Sequence, residues 1–224
     1  MIVFWASDPE STSGVYGASE GSIRRQWAKD LGIKMVHIDP YLNETAAFMG
    51  GKWLTPKPTT SPALAQAITY VWITESLYDE NYVAERTTGF DLWKAHILGE
   101  DDGVPKSPEW QESETGVSAK DVRALARDWA SKKTYLSPGG LGNTLGGACR
   151  SATGAQWARA MVCLMAMQGL GKPGINFGNL QIGAPLDFNF CFPGYAEGGM
   201  GGDVGSSRVD LQACKLEYSI VSPK

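Results

Sequence analysis

The sequence predicts an α/β fold built on a parallel sheet, and three observations carry that expectation. Two apolar runs in the first forty residues, "MIVFWA" and "IKMVHI", flank a stretch from 20 to 31 with helical spacing through Ile23, Trp27 and Leu31. Strand, helix, strand in that order is the unit from which parallel sheets are wound. A third apolar run, "TYLSP", leads directly into a glycine-rich turn and then a long apolar helix.

The first strand breaks at Ser7-Asp8-Pro9, Gly32 closes the helix that follows, and the second strand ends at Asp39-Pro40. Ligands of such sheets bind outside the carboxyl ends of the strands, which directs attention to those two breaks. Pro56, Pro58 and Pro62 punctuate the next loop. A packing helix then runs over 63–75, with Pro62 suited to its first turn. Short helical turns follow over 80–98, and the polar, proline-bearing stretch 99–116 is expected to be a surface excursion. "SAKDVRALARDWASKK" predicts a helix with Ser118 as N-cap and Asp121 answering it. The third strand precedes the glycines, the apolar helix covers 158–167, and 169–205 reads as irregular loops rich in Gly, Asn and aromatic residues.

Composition narrows the function. A 224-residue chain with formal charge −4, pI near 5.3 and no basic stripe is not expected to bind nucleic acid. Cys149, Cys163, Cys191 and Cys214 form no C-x-x-C pair and read as buried or free thiols, so no metal site is expected. No apolar stretch reaches the ~20 residues of a membrane span, and "MIVFWA" is too short for a signal peptide, which gives a cytoplasmic expectation. With only His37 and His96, and no H-E-x-x-H or P-loop, no hydrolytic centre is evident. Both histidines sit among apolar residues and read as structural.

Five glycines fall between 139 and 147, in "GGLGNTLGG". A strand, a glycine turn and a helix start can hold a dinucleotide phosphate, because the first amides of a helix and its dipole favour an anion. Gly139, Gly140, Gly142 and Gly147 are the candidate contacts, and a plain strand-to-helix turn is the alternative. Asp39, at the end of the second strand, suits a ribose or base, or else a helix cap.

Four ordered motifs resemble the dimethyl sulfoxide reductase family of molybdenum and tungsten enzymes. "FWASDPE" is similar to that family's W-G-x-N-P loop, and "HIDPYLNETAA" to its I-D-P-R-x-T-x-T-A. "PKPTTSPALAQAITYVWITESLYDENYV" resembles R-P-G-T-D-x-A-L and its helix, and "GGLGN…GKPG" the second glycine loop with G-N-x-G-x-P-G. Three positions depart from the pattern: Tyr41 stands for the Arg, Ser61 for the Asp and Ala6 for the Gly. The first two departures weaken the guanine contacts assigned to those positions, and the third reads as a small change.

The resemblance implies a Rossmann-like dinucleotide-binding domain over 1–133, part of a second α/β domain over 134–204, and an unassigned tail over 205–224. It implies two molybdopterin guanine dinucleotides and molybdenum or tungsten, with the metal ligand and any iron–sulfur cluster outside this chain. Trp5, Ser7, Asp8, Pro9, His37, Asp39, Thr59, Thr60 and Ser61 would hold one cofactor half, and the glycine loop the other. The wording, including "FNFCFPGYAEGG", is most similar to members that move a hydroxyl between phenolic rings, from pyrogallol to phloroglucinol. That implies a small phenolic substrate, an iron–sulfur small subunit and a catalytic role for Tyr195. Hydratase, formate dehydrogenase and sulfoxide reductase types are the related alternatives, and a cofactor-free binding module is the unrelated one. With Met1 already at the start of a strand, the chain reads as an internal segment, inactive in isolation.

Overall fold

The computed structural model describes residues 1–12, 18–139 and 151–177, with side chains in 12–21 and at 177 not described. Five strands, β1 (Ile2–Trp5), β2 (Met35–Ile38), β3 (Lys52–Leu54), β4 (Tyr135–Pro138) and β5 (Asn176–Phe177), form one sheet in the order β3-β2-β1-β4-β5. Every pairing is parallel. The order reverses between β1 and β4, so the chain winds outward from β1 on one side, crosses over, and winds outward again from β4.

Alternation along the short strands decides what each face meets. Val3, Trp5, Val36, Ile38, Leu54 and Leu136 pack into the main core with helices α4 (Ser61–Thr74), α8 (Ala119–Ala130) and α9 (Gly154–Gln168). Phe4, Met35 and Met49 form a smaller cluster on the other face, against Ala28 of α2 (Ala18–Asp30), with Met49 ending α3 (Glu44–Met49). A sheet covered on both faces requires apolar residues at successive positions, and β1 and β2 supply them.

Indole rings bind the large helices together. Trp72 of α4 and Trp129 of α8 meet edge to face at 5.6 Å, Trp72 Nε1 donates to the Ala126 carbonyl at 2.7 Å, and Trp129 Nε1 donates to Gln168 of α9 at 3.0 Å. α8 begins as expected: Ser118 Oγ accepts the Asp121 amide at 3.1 Å and donates to its carboxylate at 2.8 Å. The remaining helices are α1 (Pro9–Thr12), α5 (Glu80–Arg86), α6 (Phe90–Leu98) and α7 (Pro108–Thr115).

One expectation is corrected here. The stretch 99–116 is not a mere surface excursion, because α7 packs on α4 and buries Pro108, Gln111 and Thr115. Ile23 and Trp27 lie in α2 as their spacing predicts, Leu31 stands in the turn just past it, and the three are 49%, 59% and 79% exposed. The boundary expected at 133/134 falls inside this architecture, between α8 and β4, and β4 and β5 continue the sheet begun by β1. Among the described residues no helix is long and apolar enough to cross a membrane.

Candidate functional site

The crevice of a doubly wound sheet lies where strand order reverses, here at the carboxyl ends of β1 and β4. Those ends are in backbone contact. The Gly139 amide donates to the Trp5 carbonyl at 2.8 Å, and a Cβ built on Gly139 would stand 1.5 Å from the Ala6 carbonyl oxygen. Only glycine fits there. Ala6 itself has φ +51°, a left-handed conformation that glycine adopts at little cost and alanine does not. The exchange of the family's Gly for Ala6 is therefore more than a small change, since a Cβ is carried through a left-handed turn.

Just beyond, the hydroxyls of Ser7 and Ser137 lie 3.2 Å apart, and both residues are buried. Trp5 Nε1 donates to Ser61 Oγ at 3.0 Å, fixing the start of α4 beside the end of β1. Thr59, in the turn before α4, has φ +68°, and its carbonyl accepts Thr153 Oγ1, from the start of α9, at 2.6 Å. Neither Thr60 nor Thr153 caps its own helix with its side chain. Two helix N-termini thus meet near the crevice without side-chain caps; Pro62 offers no N–H, and the Ala63 and Gly154 amides donate to the Thr60 and Ser151 carbonyls at 3.0 Å.

The end of β2 supplies the acidic group. Asp39 is buried, accepts Asn43 Nδ2 at 3.2 Å and the Tyr41 amide at 3.4 Å, and burial raises its carboxyl above the ordinary range despite those bonds. Asn43 also reaches the Ser7 carbonyl at 3.4 Å, while its Oδ1 caps α3 by accepting the Ala46 amide at 2.8 Å. One side chain therefore joins the ends of β1 and β2. Trp53 Nε1 completes the corner by donating to the Asp39 carbonyl at 3.0 Å.

Asp8 does different work from that expected. Its Oδ1 accepts the amide and hydroxyl of Thr45 at 2.9 and 2.7 Å; burial pushes its carboxyl up, but bonds from Thr45 and Ser11 outweigh it and hold the group below its usual value. Pro9 opens the four-residue α1, and the Glu10 amide donates to Thr45 Oγ1 at 3.0 Å. Asp8 and Thr45 together anchor the loop after β1 to α3.

His37 lies in β2, stacked on Phe4 at 5.0 Å with planes 3° apart, and its Nε2 bonds the Gly50 carbonyl at 2.8 Å. Burial lowers its pKa, and Nδ1 has no partner. His96 is held between Gln66 at 3.2 Å and Asp101 at 2.9 Å. Cys163 is a free, half-buried thiol whose pKa burial raises.

The structure thus gathers Trp5, Ser7, Asp39, Ser61 and Gly139 around one crevice, with Thr59 and Thr60 beside α4. Gly140, Gly142, Gly147 and Tyr195 lie outside the described residues. Ser137, Asn43 and Thr45 were missed by sequence reasoning. A lone serine closing the apolar run "TYLS" and an Asn three residues before Ala46, an N-cap signature, were the available signals.

No family model matches the chain. Curated relatives do. The chain is 54% identical over 212 residues, 95% of its length, to the pyrogallol hydroxytransferase large subunit of Pelobacter acidigallici. It is 35% identical over 185 residues, 80% of its length, to a dimethyl sulfoxide/trimethylamine N-oxide reductase of Rhodobacter capsulatus. The chain belongs to the dimethyl sulfoxide reductase family of molybdopterin enzymes. It spans 24% and 21% of the length of those two relatives. The fold also matches acetylene hydratase from Pelobacter acetylenicus, with a TM-score of 0.58 and 20% identity, over 78% of this chain and 22% of that one.

The crevice can be tested against the nucleotide end of this family's cofactor. Paired serine hydroxyls, helix starts without side-chain caps and a carboxylate at the end of β2 form a donor and acceptor set suited to a pyrophosphate and a ribose. Trp157, in the first turn of α9, is buried in the main core with its Nε1 unpartnered. The residues fit the group.

Proposed function

We propose that this chain is a nucleotide-holding segment of the large subunit of a molybdopterin-dependent hydroxytransferase that moves a hydroxyl between phenolic rings, from pyrogallol toward phloroglucinol. The observation that carries the reading is the 54% identity to a pyrogallol hydroxytransferase large subunit across 95% of the chain. The 35% identity to an N-oxide and sulfoxide reductase makes the reductase reading the weaker one.

In this reading, the Ser7 and Ser137 hydroxyls and the first turns of α4 and α9 bind the pyrophosphate of a guanine dinucleotide. Asp39, oriented by Asn43, accepts from the ribose. Gly139 lets the end of β4 close on β1, its amide held by the Trp5 carbonyl, and the glycines at 140, 142 and 147 are assigned to the second half, in an enzyme that carries two such cofactors with molybdenum or tungsten. The bound metal–pterin supplies the group-transfer chemistry, and the protein's share is orientation and electrostatics. Pro9 and Asp8 set the loop that presents Ser7, and His37 serves beneath it as a packing residue. Tyr195 is proposed as the proton donor or acceptor to a substrate phenol, a role open to a phenolic hydroxyl, which can both donate and accept. An iron–sulfur small subunit and a cytoplasmic setting complete the proposal.

Metal and guanine analysis of the full-length enzyme, followed by assay with pyrogallol against sulfoxides, N-oxides and formate, tests it. Hydroxyl transfer with bound guanine nucleotide is expected. Oxide reduction with no phenolic activity would move the chain to the reductase group. Replacing Tyr195 with Phe should lower the rate about 10²-fold or more while sparing cofactor content, and an unchanged rate would return Tyr195 to packing.

A further inference from the structure

The turn that follows β2 is pinned at both ends and apolar at its tip. Asp39 and Asn43 are buried and bonded to each other at 3.2 Å, and Asn43 also holds the start of α3. Between them Pro40, Tyr41 and Leu42 stand exposed, and the Tyr41 amide donates to Asp39 Oδ1 at 3.4 Å. Trp53, on the neighbouring strand β3, closes the corner through its bond to the Asp39 carbonyl. Tyr41 is 61% exposed, so packing does not account for its ring. Burial raises its phenol above the ordinary range, and the carboxylates of Asp39, Asp8 and Glu44 raise it further, which sets the hydroxyl in the field of the groups at the ends of β1 and β2.

We infer that the Tyr41 ring is the platform on which the base of the bound nucleotide stacks. The inference rests on the proposed nucleotide site and names the group that holds its base. In a doubly wound sheet the carboxylate ending the second strand takes the ribose, so the base, next along the nucleotide, falls beside the turn which that strand runs into. Here the turn and α3, over 38–49, carry no Lys or Arg, so a base meets the face of a ring there and not a cation. The family pattern has Arg at this position, and the ring is a different way of holding the base. Bonds to Asp39 and Asn43 fix the backbone that presents the ring before the ligand arrives, which lowers the ordering cost of binding.

Retention of guanine nucleotide by the purified full-length enzyme tests it. Wild type, Tyr41→Phe and the ringless Tyr41→Leu and Tyr41→Gln would be held in urea too dilute to unfold them, with thermal unfolding confirming that each is folded. Nucleotide remaining on the polypeptide would be followed with time. Loss of one base stack should speed release from the ringless variants about tenfold or more, while Tyr41→Phe, which keeps the ring, should release at the wild-type rate. Equal release from wild type and a folded ringless variant would overturn the platform and leave the nucleotide site standing. Release from Tyr41→Phe as fast as from Tyr41→Leu would also overturn it, because the hydroxyl and not the ring would then be the holding group. A wild type that carries no guanine nucleotide would overturn the site itself and the platform with it.

Discussion

The carbonyl oxygen of Ala6 occupies the space a Cβ on Gly139 would need, at 1.5 Å, and the Ala6 carbonyl carbon lies 2.5 Å from the same point. The obstacle is backbone just past the end of β1, so it cannot rotate away as a side chain would. Gly139→Ala should separate the ends of β1 and β4 and cost about 3 kcal/mol or more, the upper range for overpacking. Chemical denaturation measures this; a loss under about 1 kcal/mol would mean that the two ends move apart easily.

The reverse substitution is expected at its neighbour. Glycine ordinarily costs about 0.5–1 kcal/mol in backbone entropy, but the left-handed φ of Ala6 costs a residue with a Cβ roughly 1–2 kcal/mol. Ala6→Gly should therefore be neutral or stabilising by up to about 1 kcal/mol. A denaturation midpoint shifted clearly downward would show that the turn is relaxed as it stands.

Asn43 is a cap and a bridge at once, and Asn43→Asp separates the two. An Asp can still accept the Ala46 amide, but it places a second carboxylate where Asp39 now has a donor. A like charge raises the folded-state pKa of Asp39 further, so the deficit should grow as pH rises above about 4 and shrink as both groups protonate below it. Stability measured at pH 3.5 and pH 7 in the variant and the wild type checks the sign.

His37 gives a titration of its own. Burial lowers its folded-state pKa, and the unfolded chain protonates near about 6.5. Neutral His37 is the folded form, so its share of stability is full above that value and is lost as pH falls below it. His37→Gln, which keeps a donor for the Gly50 carbonyl, should flatten the fall in stability between about pH 7 and pH 5. An unchanged slope would assign that fall to other groups.

Much of the fold was legible because its signals are local. The apolar runs, Pro62 in the first turn of α4 and the Ser118–Asp121 pair each declare an element within a few residues. What escaped depends on contacts far along the chain. β3 is three residues long, too short to show a period, and α7 is polar yet buries Gln111, whose amide is satisfied by the Pro108 and Val117 carbonyls at 3.0 and 2.7 Å. α2 was legible as a helix but not in its orientation: Arg25 is buried against Glu10 while Ile23 and Trp27 face out, a choice made by contacts with α1 rather than by the helix's own spacing. At the site, Ser7 and Asp39 stood at visible strand ends. Ser137 became a candidate only when β4 was placed beside β1.

The central claim is that the crevice between β1, β2 and β4 holds a guanine nucleotide, and the most direct measurement is the guanine nucleotide released per polypeptide from the full-length protein. Wild type and Asp39→Ala would be compared, with thermal unfolding confirming that both are folded. The account predicts bound guanine nucleotide in the wild type and loss of most of it in the variant, with unfolding little changed. Equal guanine content in the two, or none in an otherwise metal-loaded wild type, would contradict it.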